Sequence, residues 1–134
     1  MRDIKFRAWN KNTKKMYKIG QITLEKGTWN YEPDNREYVG MSIPYQPSSM
    51  LMQYTGLKDK NGKEIYEGDI VKAVFTDEEE SEMKGVVIYA EAGACYMVIA
   101  NNGDEWDLGY LDKIEKIGNK WDNPELLEEG EEER

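Results

Sequence analysis

Apolar and polar positions alternate in short runs along most of this chain, which is the pattern of half-buried β-strands. Near the start, Ile4, Phe6 and Ala8 alternate with charged residues, and a polar turn follows at residues 10–13. Residues 16–24 continue in the same extended pattern and can return beside the first run. The beginning of the chain is therefore predicted to be a β-hairpin.

The central segment holds further β-type runs around a tight turn. Alternation across residues 50–55 predicts a strand, and Gly56 is expected to end it. Residues 59–62, Asp-Lys-Asn-Gly, have the side chains and the glycine that a tight reversal needs. Residues 65–66 and 70–75 are β-branched and aromatic, so they are predicted to be strands, the second one largely buried.

The last third of the chain repeats this organisation. Residues 86–89 predict a strand, and residues 95–111 predict a hairpin that turns at Asn102-Gly103, with a buried strand around Cys95. Pro124 in an Asp-Asn-Pro-Glu context predicts the start of a short helix. Residues 25–48 are rich in proline, glycine and aromatic residues, so we expect an irregular excursion there, with one short strand near residues 38–42.

Length and composition favour a small mainly β protein. The 134 residues suit one ordinary domain, or an extension packed on a compact barrel. We predict an N-terminal hairpin and irregular extension at residues 1–48, a small β-barrel with a terminal helix at 49–127, and an acidic disordered tail at 128–134. Four Trp and nine Tyr against two Phe indicate rings at contact surfaces as much as a dry interior.

Several chemistries are disfavoured by what the sequence lacks. There is no histidine, the usual general base near neutral pH, and the single cysteine, Cys95, allows no internal disulfide and no tetrahedral zinc site. No N-terminal apolar segment has the length of a secretory or membrane-spanning sequence. We therefore expect a cytoplasmic protein that is not an enzyme, with no catalytic residues, no cofactor, no metal and no membrane partner.

Two groups of acidic residues suggest an alternative function, that of a metal-dependent nuclease. Glu64, Glu67 and Asp69 could cluster as a two-metal nuclease site does, and the run around Asp104 and Asp107 invites the same reading. Acidic residues beside turns are more commonly solvated or capping, so a metal-dependent nuclease is the less favoured reading.

Charge is distributed in blocks along the chain. Residues 1–30 carry eight basic and two acidic residues, net +6; residues 31–75 carry five and seven, net −2; residues 76–134 carry five and eighteen, net −13. Opposite-sign blocks favour association with another copy or with another protein. The basic hairpin could instead bind nucleic acid, and the acidic half could act as a nucleic-acid mimic. The candidate surface in either case comprises Arg7, Trp9, Lys11, Lys14, Lys15, Tyr17 and Lys18.

Three stretches of the sequence resemble one known family. The opening MRDIKFRAW, the central YTGLKDKNGKEIYEGDIV and the closing IGN with NPELL are similar to the YopX family of phage and prophage proteins. The resemblance implies a Src-homology-3-like barrel, an origin in a phage or prophage, a bacterial host cytoplasm and no established biochemical activity. In that context, a protein partner other than a second copy is expected to be a host or phage protein. It implies no catalytic residues.

Overall fold

This computed structural model describes residues 3–11, 13–25, 28–33, 51–75 and 82–127, and the protein is mainly β as predicted. The chain divides into two compact units, Met1–Tyr54 and Thr55–Arg134. From the sequence, the division is predicted between residues 48 and 49. The difference arises because the first part of the central strand pairs with the N-terminal hairpin.

The first unit is an antiparallel arrangement of strands built on the predicted hairpin. The strands are β1 (Phe6–Asn10), β2 (Lys15–Glu25), β3 (Thr28–Pro33) and the first half of β4 (Leu51–Lys58). They follow one another in the order β3-β2-β1-β4. The hairpin is confirmed, with Ala8 opposite Tyr17 and Phe6 opposite Ile19.

Two expectations about strand limits are wrong. β3 lies inside the segment expected to be irregular, where it pairs with β2 from Thr28 opposite Glu25 onward. β4 does not end at Gly56, because this residue takes a φ of 92° that only glycine adopts easily and the strand continues to Lys58. The short strand expected near residues 38–42 lies outside the described residues.

The second unit contains the remaining strands. These are β5 (Glu64–Tyr66), β6 (Asp69–Phe75), β7 (Glu82–Ala90), β8 (Cys95–Ile99), β9 (Glu105–Asp107) and β10 (Leu111–Asn119). Five of them form an antiparallel sheet in the order β10-β6-β7-β8-β9. The predicted hairpin at Asn102-Gly103 is confirmed as the β8–β9 turn.

The core of the second unit lies on one face of this sheet. It is formed by Ile65, Val71, Ala73, Met83, Val87, Val98 and Leu108. Burial of such side chains contributes about 1.5–3 kcal/mol each. The strand around Cys95 is less buried than expected, because only Val98 of β8 is fully covered and Cys95 is half-buried.

Two 3-10 helices complete the second unit, Leu108–Tyr110 and Pro124–Leu127. The second lies where a short C-terminal helix was predicted, and it contacts β7. A Cβ at Gly118 would collide with the side chain of Asn123, so the chain after β10 passes close over this glycine. Among the described residues, no helix is long and apolar enough to cross a membrane.

Candidate functional site: the N-terminal lysine hairpin

The turn between β1 and β2 is shaped by the side chain and carbonyl of Asn10. Its Oδ1 accepts the backbone N–H of Thr13 at 3.1 Å, and its carbonyl accepts the N–H of Lys14 at 2.7 Å. Lys14 has a φ of 59°, in the left-handed region that closes such a turn. Because Asn10 is itself buried, the turn is anchored to the body of the first unit.

The seven candidate residues separate into an exposed and a buried group. Four lysines are exposed on the turn and on β2, namely Lys11, Lys14, Lys15 and Lys18, which we call the hairpin lysines. Arg7, Trp9 and Tyr17 are buried, with 6%, 8% and 2% of their surface exposed. The structure therefore places four of the seven side chains where a partner can reach them.

The two aromatic candidate residues, Trp9 and Tyr17, are packed within the first unit. The hydroxyl of Tyr17 lies 3.1 Å from Oγ1 of Thr13, which ties β2 to the turn. Trp9 is opposite Met16 in the β1–β2 ladder. Since both rings are buried, neither offers a face on which a nucleic-acid base could stack in this arrangement. The hairpin presents charge rather than aromatic surface.

The central turn of the second unit is organised around Asp59. Oδ1 accepts the backbone N–H groups of Asn61 at 2.8 Å and Lys63 at 2.9 Å, and Oδ2 accepts that of Lys116 at 2.9 Å. Burial raises the pKa of Asp59, but these three hydrogen bonds and the charge of Lys63 outweigh it and hold the pKa below its ordinary 3.8. Asp59 is therefore a structural carboxylate.

Asp69 has a comparable structural environment. It is fully buried, and its Oδ2 accepts the N–H of Tyr66 at 2.7 Å and lies 3.3 Å from Nζ of Lys116. Nζ of Lys116 also donates to the carbonyl of Glu64 at 3.4 Å. A buried carboxylate needs such partners because an uncompensated charge is costly in the interior.

Several of the acidic residues considered as nuclease ligands instead make hydrogen bonds or ion pairs within the fold. Glu64 accepts from the hydroxyl of Tyr66 at 3.3 Å, and Asp69 is paired with Lys116. In the β8–β9 turn, Asp104 is bound to Asn102, and Asp107 caps the first 3-10 helix through the N–H of Gly109. Within the described residues there is no group of three side chains that could hold a metal ion.

A second basic feature was missed by the sequence analysis. Lys72 on β6 lies directly opposite Lys84 on β7 and also opposite Glu115 on β10. Oε1 of Glu115 is 3.9 Å from Nζ of Lys72 and 3.6 Å from Nζ of Lys60. We call these four residues the lysine row. The strand register brings Lys72, Lys84 and Glu115 together, and the central turn adds Lys60, so spacing along the chain gives no signal for this row.

Aromatic side chains reach the surface of the second unit, as the surplus of tyrosine suggested. Tyr110 is 77% exposed and Tyr89 is 43% exposed. Tyr89 packs edge-to-face on Tyr96 across the β7–β8 pair, with ring centroids 5.2 Å apart. Paired rings on a sheet offer a partly rigid apolar contact surface.

The fold makes this chain a small, mainly β protein, and polar side chains hold two of its turns. The profile described as YopX protein matches residues 5–128, and this chain belongs to the YopX family. The solved structure of protein yopX from Bacillus subtilis is similar, with 25% identity and a TM-score of 0.62, covering 92% of this chain and 97% of that chain.

A second similar structure is that of protein EF1440 from Enterococcus faecalis. It is 28% identical with a TM-score of 0.50, and the alignment covers 95% of this chain and 99% of that chain. The family resemblance inferred from the sequence is thereby confirmed. No match to this chain exists among the curated proteins.

Proposed function

We propose that this chain is a non-enzymatic interaction module whose lysine-bearing hairpin joins a second copy of the chain or another protein. The observation that carries the proposal is the exposure of all four hairpin lysines on a turn whose shape Asn10 fixes. A turn held in this way presents charge at low entropic cost, since few backbone conformations are lost on binding.

The chain itself supplies a complementary surface. The second unit exposes carboxylates on several of its turns and strands, namely Glu82, Glu91, Asp104, Glu105, Asp112, Asp122 and Glu125. Complementary charge steers encounter and fixes orientation more than it adds affinity. Association between copies is therefore expected to depend on salt, because screening shortens the reach of exposed charges.

Light scattering tests the proposal directly. At low salt, the wild-type protein should have a mass above the 15.6 kDa of one chain and return to that mass at high salt. Lys14→Glu with Lys15→Glu should be monomeric at both. The matched control is Lys58→Glu with Lys113→Glu, which changes net charge equally at exposed positions of the second unit and should still associate.

Two results would count against self-association. If the wild-type protein has the mass of a single chain at low salt, self-association is excluded. Equal loss of association in the control pair would show that net charge, rather than the hairpin, is responsible.

The non-enzymatic part of the proposal is supported by the structural role of the two buried carboxylates. Asp59 and Asp69 are bound by backbone N–H groups and by Lys116, so their oxygens serve the fold. The sequence has no histidine to provide a general base near neutral pH.

Nucleic-acid binding is the second candidate, and the hairpin lysines favour it as well. Four cations on one hairpin can neutralise successive phosphates. The net −13 of residues 76–134 opposes an approaching backbone, which is why this candidate ranks second.

The family resemblance supports three finer proposals. The protein is encoded by a phage or prophage, it works in the cytoplasm of the bacterial host, and its second unit belongs with the Src-homology-3-like barrels. The antiparallel order β10-β6-β7-β8-β9 is compatible with the last of these.

A further inference from the structure

The described part of the chain contains two asparagine–glycine steps with closely matched backbones. Asn61-Gly62 lies in the turn before β5, and Asn102-Gly103 lies in the β8–β9 turn. Gly62 and Gly103 have φ values of +86° and +95°, and a Cβ at either would meet nothing within 4 Å. Each glycine N–H donates to a carbonyl at 2.9 Å, to that of Asp59 and that of Ala100 respectively. All four residues are exposed.

The two asparagine side chains are held differently. Oδ1 of Asn102 accepts the N–H of Asp104 at 2.9 Å, and its Nδ2 donates to Oδ2 of Asp104 at 3.2 Å. The side chain of Asn61 makes no hydrogen bond with the described residues, and only its backbone N–H is bound, to Asp59. The Asn61 carboxamide is therefore free to rotate toward the following peptide.

The charges around the two steps also differ. Lys60 and Lys63 flank Asn61-Gly62, whereas Asp104 follows Asn102-Gly103. Nearby cations stabilise an amide anion and a nearby carboxylate destabilises it. The Asp59 carboxylate is also close to the first step, and its negative charge offsets part of the effect of the two lysines.

We propose that Asn61 is a site of spontaneous deamidation, and that Asn102 is protected. The backbone nitrogen of Gly62 gives up its proton to solvent and attacks Cγ of Asn61. A carbon–nitrogen bond forms, the Cγ–Nδ2 bond breaks, and Nδ2 takes a proton and leaves as ammonia. Water then opens the five-membered succinimide. Cleavage of the new Cγ–nitrogen bond gives aspartate, and cleavage of the original peptide bond gives isoaspartate.

The two products have different structural consequences. Aspartate leaves the backbone unchanged and adds a negative charge near Asp59. Isoaspartate lengthens the main chain by one methylene between the N–H groups of residues 61 and 63, which both bind Oδ1 of Asp59. That carboxylate cannot keep both hydrogen bonds at their present lengths. Isoaspartate formation therefore loosens the turn that Asp59 organises.

Peptide mapping after incubation in warm, mildly alkaline buffer tests the proposal. A protease that cleaves beside acidic residues is needed, because trypsin would cut at both Lys60 and Lys63. The replacement of NH2 by OH is followed by mass, and isoaspartate by enzymatic methylation. We expect Asn61 to react faster than Asn102 by about tenfold, which corresponds to a difference of about 1.4 kcal/mol between the two barriers.

Three variants make the test decisive. Asn61→Gln should abolish the mass gain at this position, because its longer side chain must close a less favourable ring. Asp104→Ala removes one hydrogen bond and the adjacent charge from Asn102, so the rate at Asn102 should rise toward that at Asn61. Asn61→Asp reproduces the charge with a normal backbone and should keep the turn. Equal rates at the two steps, or an unchanged Asn102 rate in Asp104→Ala, would overturn the proposal.

Discussion

Lys116 donates its backbone N–H to Oδ2 of Asp59 at 2.9 Å, across 57 positions of the sequence. The same carboxylate receives two N–H groups from its own turn. One side chain thus fastens the central turn internally and joins it to β10. The polar residues of this segment are explained by structure, which directs the search for function to the exposed surfaces.

Replacing Asp59 by Asn should destabilise the second unit. The amide places an N–H donor where the carboxylate accepts from three N–H groups, so at least one hydrogen bond is lost at a cost of about 1–3 kcal/mol. Chemical denaturation at neutral pH measures the loss. Asp112→Asn is the control, because Asp112 is exposed and, among the described residues, accepts one N–H, that of the adjacent Lys113.

The same variant makes a prediction about pH. The folded state holds the pKa of Asp59 below 3.8, so its ionised form stabilises the fold above that value. This stability is lost as the pH falls from 3.8 through the lower folded pKa. The difference between wild type and Asp59→Asn should therefore shrink in that range. If the difference in unfolding free energy between the two proteins stays constant as the pH falls, ionisation of Asp59 is not its cause.

Replacing Lys116 by Met should leave the buried carboxylate of Asp69 without its cation. The fully buried Asp69 lies 3.3 Å from Nζ of Lys116, and breaking such a pair costs about 3 kcal/mol. Thermal melting should show a large fall, whereas Lys113→Met at an exposed position should change little. A melting temperature equal to that of the wild type would mean that the remaining partners of Asp69, the N–H of Tyr66 among them, compensate it sufficiently.

Replacing Lys84 by Glu should stabilise the protein. Lys84 lies directly opposite Lys72, and like charges at that separation repel, whereas an opposite pair gains about 0.2–1 kcal/mol. The melting temperature should rise at low salt and return to the wild-type value at high salt. Lys58→Glu changes the net charge equally at an exposed position of the second unit, so an equal rise in that variant would point to net charge instead.

Replacing Gly85 by Ala should destabilise the β7–β8 pair. A Cβ there would collide with the backbone carbonyl of Ile99 and the side chain of Val98, and neither can move without disturbing the sheet. Such overpacking costs about 1–3 kcal/mol. Denaturation with urea provides the measurement. Gly93→Ala is the control, since a Cβ there would meet only Sγ of Cys95 at 3.4 Å.

If the hairpin lysines bind nucleic acid, Lys14→Glu with Lys15→Glu should lower both affinity and its salt dependence. Losing two phosphate contacts reduces the slope of log affinity against log salt by about 1.4 for a single strand. Fluorescence anisotropy with labelled single-stranded DNA across a salt series gives the slope. An unchanged slope would remove the hairpin from consideration, and Lys58→Glu with Lys113→Glu serves as the control.

Local chemistry predicted most of the strands correctly. The alternation around Phe6 and the turn residues at Asn102-Gly103 each specify a hairpin without help from distant residues. β3 was missed because proline and glycine around it outweighed its short alternation, and Gly56 did not stop β4 because a glycine can remain extended at positive φ.

The candidate site was predicted only in part, because burial depends on neighbours that the sequence does not reveal. The sequence correctly placed the hairpin lysines on one hairpin, but Trp9 and Tyr17 are covered by the rest of the fold. The lysine row could not be predicted from the sequence for the same reason. Lys72, Lys84 and Glu115 meet only through the order of β7, β6 and β10.

The central turn also affects whether another chain can pair with the edge strand β10. Lys60 donates its N–H to the carbonyl of Ile114 at 2.8 Å, and Asp59 binds the N–H of Lys116, so two backbone groups of β10 are bonded to the turn. Free backbone groups on an outermost strand invite strand addition by another chain. The turn closes that route at this border of the sheet. Strand addition by another chain is therefore disfavoured at β10, which leaves β9 as the opposite edge of the same sheet.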